Sequence, residues 1–192
     1  MIIGLLAGIF RIIKHNVLKE TISMQIGKIS LTILSFSVLF LLSPLMLLAK
    51  TEYYTAKVVS VADGDTITVL TTDFERFKVR FYGVDSPERK QPYGEEARTY
   101  LDELIYGKTV ELEVQNLDRY SRYVSLVYFD NQLVNNLMVA EGYAWIYKTY
   151  CKQKDICQMF EKSEIQARKE KKGLWADKSP IAPWDWRKPK GS

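Results

Sequence analysis

Histidine is nearly absent from this chain. His15 is the only one in 192 residues, and it precedes a long apolar run. Everything after that run must work without an imidazole, which excludes a histidine acid or base and any Ser-His-Asp triad. Cysteine is scarce as well, with Cys151 and Cys157 standing alone. Two sulfurs without a neighbouring histidine do not make a four-ligand zinc site. There is no internal repeat and no glycine-rich phosphate loop, so no nucleotide cofactor is expected. Positive charge is thin where it would matter. The chain carries a net +4, but most of it comes from Arg11, Lys14, Lys19 and Lys28 set against the single acid Glu20. After position 49 the remaining 23 basic and 22 acidic residues nearly cancel. Attraction to a polyanion would have to come from local patches.

Charge is missing altogether from Ile29 to Ala49, a run of 21 residues rich in Leu, Ile, Val and Phe. About 20 apolar residues span a bilayer as a helix, whereas a signal-peptide core needs about 7–15. Lys14, Lys19 and Lys28 precede the run, while Lys50 directly after it is balanced by Glu52. The positive-inside rule then keeps residues 1–28 in the cytoplasm and sends the chain from residue 50 outside. The expectation is a single-pass anchor over 29–49, a domain over 50–178, and a Pro/Trp-rich tail over 179–192. A cleaved signal peptide is the alternative. Met24 as initiator would leave a short basic start up to Lys28, and cleavage after Ala49 would secrete the remainder. Outside the cytoplasm, Cys151 and Cys157 are expected to pair and clip a short loop; two unpaired thiols are the other reading.

Within the domain, strand-like runs fall at about 55–61, 65–70, 75–84, 109–115 and 122–129. Short strands separated by turn residues suggest a small antiparallel barrel, and hence an α+β domain of five strands with three helices. The helices are expected at 95–105, 133–141 and 155–172. The middle one gathers Leu133, Leu137 and Met138 on one face, with Val134 beside them. The last one is expected to end at Gly173, with Leu174 and Trp175 returning to the core.

The residues that carry chemistry lie around two turns. Asp63-Gly64-Asp65-Thr66 sits between two strand-like runs as a hairpin signal, with Gly64 expected to supply a positive φ. Asp63 is expected to serve its own turn through an Asx-type bond. Phe77 to Tyr82 alternates as a half-buried strand would, and Gly83 allows a bend before Asp85-Ser86-Pro87-Glu88. With the strands side by side, Asp65 and Asp85 meet at one rim, where their charges call for a cation. Hard oxygen donors suit Ca²⁺ or Mg²⁺ rather than Zn²⁺.

These blocks, together with Asp118-Arg119-Tyr120-Ser121-Arg122, resemble the three signature blocks of the thermonuclease (staphylococcal nuclease-like) family. The likeness runs from about Tyr54 to Trp175. It implies an oligonucleotide-binding (OB) barrel and calcium-dependent hydrolysis of DNA and RNA. By that resemblance Asp65, Asp85 and the carbonyl of Ser86 would be calcium ligands, Glu88 would activate water, and Arg80 and Arg122 would clamp phosphate oxygens. The family usually has Thr where Ser86 stands and Gly where Ser121 stands. Tyr120, Tyr147 and Tyr150 are candidates for stacking on bases, as is Trp145, which alternatively belongs to the core. Trp184 and Trp186 are expected to pack against the barrel. A monomer is expected. Two readings compete with the nuclease: a silent OB module that only binds oligonucleotides, and a membrane-tethered domain that holds a protein through its tail.

Overall fold

The computed structural model describes residues 52–189; the apolar run predicted to anchor or export the chain lies outside them. Five strands do the framing: β1 (Glu52–Asp63), β2 (Thr66–Thr71), β3 (Arg76–Phe81), β5 (Thr109–Leu117) and β6 (Tyr123–Phe129). A two-residue β4 (Val84–Asp85) follows β3, and β7 (Gln132–Leu133) extends β6. The sheet order is β3-β2-β1-β5-β6-β7, and β3 pairs again with β6 to close a barrel. Both the five-stranded barrel and the three helices expected from the sequence are present.

One detail departs from the expected all-antiparallel arrangement. The closing pair is parallel, with Val79 opposite Tyr123 and Phe81 opposite Ser125. Five strands make an odd ring, and alternating directions cannot close around an odd number. One seam has to be parallel. The long β1 serves both neighbours, β2 and β5, and its register with β2 shifts between Val58 and Ser60 and again between Val61 and Asp63. Such bulges add twist and let a single strand turn a corner of the barrel.

The interior is filled by inward-facing residues of these strands. Val58, Ile67, Val69, Val79, Phe81, Val110, Leu112 and Leu126 are essentially inaccessible. Full burial of a Val, Leu, Ile or Phe side chain stabilises by about 1.5–3 kcal/mol each before entropy is charged against it. Helix α1 (Gly94–Ile105) adds Ala97, Leu101 and Ile105 at four-residue spacing, one stripe of a helix.

Helix α2 (Val134–Ala140) buries Val134, Asn135, Met138 and Val139. The predicted face was therefore turned slightly: Leu137 is only half-buried and a polar residue takes the inward position. Asn135 is drawn in by backbone left without strand partners. Its Oδ1 accepts from Val127 N at 2.9 Å, and its Nδ2 donates to Tyr82 O at 3.1 Å and Ser125 O at 3.2 Å.

The short β8 (Trp145–Ile146) pairs with β4. Helix α3 (Lys154–Glu170) then packs through Phe160 and Ala167. It ends earlier than expected, with Lys171 rather than Gly173 in the left-handed cap. Gly173 instead opens a 3-10 turn (Gly173–Ala176) pressed onto Gly142, where a Cβ would come within 2.3 Å of the Gly142 oxygen. Cys151 and Cys157 form a disulfide across the entry to α3. The tail closes on the domain through a one-turn helix α4 (Pro183–Trp186). Trp184 stacks on Tyr147 at 5.3 Å and meets Trp145 at 5.6 Å, as packing of the tail on the barrel requires.

Candidate active site

The tip of the β1–β2 hairpin and the bend after β3 come together at one end of the barrel. In the hairpin, Asp63 Oδ1 accepts from Asp65 N at 3.0 Å, the local bond expected of an Asx turn. Gly64 has a different role from the one expected. Its φ is not in the left-handed region, and the requirement is one of space: a Cβ would fall 2.1 Å from Ser86 Oγ. The bare Cα lets the two turns touch. Across this contact Ser86 N donates to Asp65 Oδ2 at 2.6 Å, while Ser86 Oγ donates to Tyr143 O at 2.6 Å. Gly83, at φ 70°, makes the bend that swings Asp85 back toward Asp65.

Arg80 sits opposite Thr66 in the β2–β3 ladder, so its side chain rises at the same rim. Its Nη2 lies 3.1 Å from Asp65 Oδ2 and 2.8 Å from Asp85 Oδ1, and its Nη1 donates to Phe81 O at 3.0 Å. Both aspartates are buried. Burial pushes the Asp65 carboxyl up to about 7, outweighing the attraction of Arg80. Burial also raises Asp85, with Arg187 and Arg80 opposing and Asp65 adding to the rise. Desolvation therefore opposes the charged form of both carboxylates, and the neighbouring arginines offset it only in part.

On the other wall, Asp118 orders the third block. Its Oδ1 accepts from Tyr120 N and Arg122 N, and its Oδ2 accepts from Arg122 Nε at 2.8 Å. Asp118 is partly desolvated, but these bonds win and hold its carboxyl below its ordinary value. Ser121 bears the strain of that loop at φ 58°. The guanidinium of Arg122 lies 5.4 Å from the Tyr120 ring, and that of Arg119 lies 4.8 Å from it.

One cleft of about 700 Å³ joins the two walls. It is lined by every residue singled out in the sequence for chemistry or binding except Trp145: Asp65, Arg80, Asp85, Ser86, Glu88, Tyr120, Arg122, Tyr147 and Tyr150. Tyr120 and Tyr150 are 64% and 61% exposed, which leaves ring surface for a partner. Tyr147 is half-buried, with Trp184 against its ring. Trp145 belongs elsewhere. It is wedged between Trp175 and Trp184 with Arg168 stacked over it, a packing role.

The donors at the rim are carboxylate and carbonyl oxygens without sulfur or imidazole, and this chemistry fits a hard divalent cation. Side chains alone do not form a cage. Among the described residues no three Asp, Glu, His or Cys groups converge, so backbone or water oxygens would have to complete any shell.

Sequence reasoning missed Arg187. It reaches in from the tail to Asp85 (Nη2–Oδ2 2.7 Å, Nη1–Oδ1 3.2 Å) and to Glu88 (Nη1–Oε1 2.8 Å). Nothing in Trp184-Asp185-Trp186-Arg187 indicates such a reach. Only the aromatic anchoring of the tail hints that the arginine after it is held in place.

The model of the staphylococcal nuclease homologue family matches residues 78–177. The chain is 39% identical over 137 residues to an uncharacterized endonuclease of Haemophilus influenzae, covering 71% of this chain and 75% of that protein. It is 37% identical over 144 residues to a micrococcal nuclease of Shigella flexneri, covering 70% and 81% respectively. A probable staphylococcal-like nuclease of Oryza sativa is 39% identical over 132 residues, 69% of this chain but only 33% of the rice protein. The chain thus spans about a third of the length of its plant relatives.

Proposed function

Because the chain belongs to the staphylococcal nuclease homologue family, we propose that it is a phosphodiesterase, a calcium-dependent endonuclease acting on DNA and RNA with little sequence preference. The observation that carries this reading is the convergence of Asp65, Arg80, Asp85, Glu88 and Arg122 on one cleft. Phosphodiester hydrolysis needs an activated water and positive charge around the phosphoryl oxygens in the transition state.

Glu88 stands at the mouth of the cleft, where its carboxylate is within reach of solvent and takes the proton of the attacking water. Arg80 and Arg122 approach from opposite walls and hold phosphate oxygens through planar paired donors, a geometry Lys does not reproduce. Asp65 and Asp85, with the Ser86 carbonyl, would hold calcium, which when bound polarises a phosphoryl oxygen. Tyr120 and Tyr150 offer faces for base stacking, about 1–3 kcal/mol per base whatever its identity. That is the basis for broad substrate choice.

The same reading places the domain outside the cytoplasm, anchored through 29–49 or secreted. The apolar run supports it, and so does the Cys151–Cys157 disulfide, a bond that persists in oxidising compartments. A reporter active only outside the cytoplasm, fused after Lys50, should give signal; silence would refute export.

The central test is digestion of plasmid and single-stranded RNA by the full-length chain with calcium or with excess chelator. Cleavage should vanish with chelator, and full activity there would remove the calcium site. Glu88→Gln should slow hydrolysis by about 10²–10⁴, the range of general-base contributions, with oligonucleotide affinity kept or raised. Cleavage by that variant at the wild-type rate would refute the base assignment. Oligonucleotide binding without cleavage by the wild-type protein would favour the silent module.

A further inference from the structure

Arg187 lies beyond the stretch matched by the family, yet it makes the most extensive ionic contact at the carboxylate rim. Each carboxylate offers about four acceptor positions, two per oxygen. On Asp85, Oδ1 takes Arg80 and Arg187, and Oδ2 takes Arg187 again. On Asp65, Oδ2 takes Ser86 N and Arg80, and Oδ1 takes Thr66 Oγ1. Hydrogen bonds fill five of the eight positions, two of them from Arg187, and the Arg80 ion pair to Asp65 at 3.1 Å crowds a sixth. Charge gives the same result. Asp65, Asp85 and Glu88 against Arg80 alone leave −2, the charge one divalent cation cancels; with Arg187 seated, half of that is already met.

We propose that Arg187 is a resident competitor for the divalent-cation position, so that the C-terminal tail sets how readily the catalytic carboxylates load a metal. The inference rests on the calcium reading above and extends it to regulation of the same site. The tail is built for this. Its base is fixed, with Gln91 Nε2 donating to Ile181 O at 2.6 Å, Ala182 and Pro183 buried, and Trp184 stacked on Tyr147. Its tip is partly open to solvent: the Arg187 side chain is 41% exposed. Arg187 also walls a second cavity of about 690 Å³, bordered by Glu88, Arg89 and Lys90. That space, bordered also by Asp63 and Trp186, is where the guanidinium would move on leaving the rim. A tethered competitor acts at an effective concentration in the millimolar range, so it opposes only cations that bind well enough to displace it.

Calcium titration calorimetry on the full-length chain tests this without reference to cleavage. Arg187→Gln should bind calcium about tenfold more tightly than the wild type, the modest end for loss of a charge-assisted, partly exposed contact. Arg187→Lys, which keeps the charge but loses the paired geometry, should fall between them. Trp184→Ala loosens the tail without touching the rim and should tighten binding in the same direction, which covers the case of an Arg187 variant that fails to fold. Equal or weaker calcium binding by these variants overturns the competition and leaves the nuclease reading intact. No calcium uptake by any of them, wild type included, overturns the calcium site and this inference with it.

Discussion

Replacing Asn135 with alanine removes the one polar side chain that stitches α2 to the barrel. Asn135 is fully buried, and so is Val127, whose N–H it caps. Three hydrogen bonds disappear. Ser125 O keeps a partner, because Tyr82 N also donates to it at 2.8 Å. Val127 N and Tyr82 O lose the partner that Asn135 gave them. At about 1 kcal/mol for each lost bond, and about 1–3 kcal/mol for a stranded buried donor, the cost is about 4–6 kcal/mol. That is a large part of the 5–15 kcal/mol typical of a domain. Urea unfolding followed by tryptophan fluorescence measures it, with the denaturant slope expected to stay constant. Asn135→Asp should be at least as damaging, since it keeps the acceptor, loses both donors and buries a charge. A loss below about 1 kcal/mol for the alanine variant would refute the reasoning and show that water or strand movement repairs the gap. Tyr82 immediately precedes the Gly83 bend, so the same variant should also loosen Asp85 and depress activity in protein that remains folded.

Two more outcomes follow from the site. In the absence of divalent cations, Asp65 titrates near 7 when folded and in the ordinary carboxylate range when unfolded. Between about pH 4 and 7 the folded state therefore holds a proton that the unfolded state has released, and stability should fall as pH rises through that window; Asp65→Asn should flatten the slope measured by chemical unfolding, and an unchanged slope would refute the assignment. Ser121→Gly should stabilise the protein by about 0.5–1 kcal/mol, because a left-handed φ of 58° strains a side chain by roughly 1–2 kcal/mol while glycine gives back part of that through unfolded-state entropy; a lower urea midpoint than wild type would contradict this.

Much of the architecture was legible because it is written in local pattern. The alternation of Phe77 to Tyr82 and the Asp-Gly turn locate β3 and the first hairpin, since side-chain period and turn chemistry act over a few residues. The pairing of the two cysteines follows from their spacing. The meeting of Asp65 and Asp85 follows from strand adjacency. What escaped depends on neighbours far along the chain. Asn135 looks like a surface residue until the unpaired backbone of Tyr82 and Val127 is placed beside it. Gly64 looks like a positive-φ turn residue until Ser86 is found above it. Arg187 joins Asp85 only because aromatic stacking folds the tail back, and no periodicity encodes that. The parallel seam is a matter of counting, fixed once the strand number is odd and the ring is closed.

That seam has a consequence for the order in which the protein comes into being. The hairpins β1–β2, β2–β3 and β5–β6 link segments close in sequence, whereas the seam joins Val79 to Tyr123 and the β1–β5 pair joins Lys57 to Thr109, both across the whole of α1. Distant pairings pay their loop-closure entropy before they return anything, so the ring shuts late. Asp65, Arg80, Asp85 and Glu88 leave the ribosome early, but Arg122 adjoins the closing strand, and Tyr147 and Arg187 come later still. A nascent chain can therefore carry its reactive carboxylates for some time as an open ribbon. The proposed phosphodiesterase site takes form only after Arg187 has emerged.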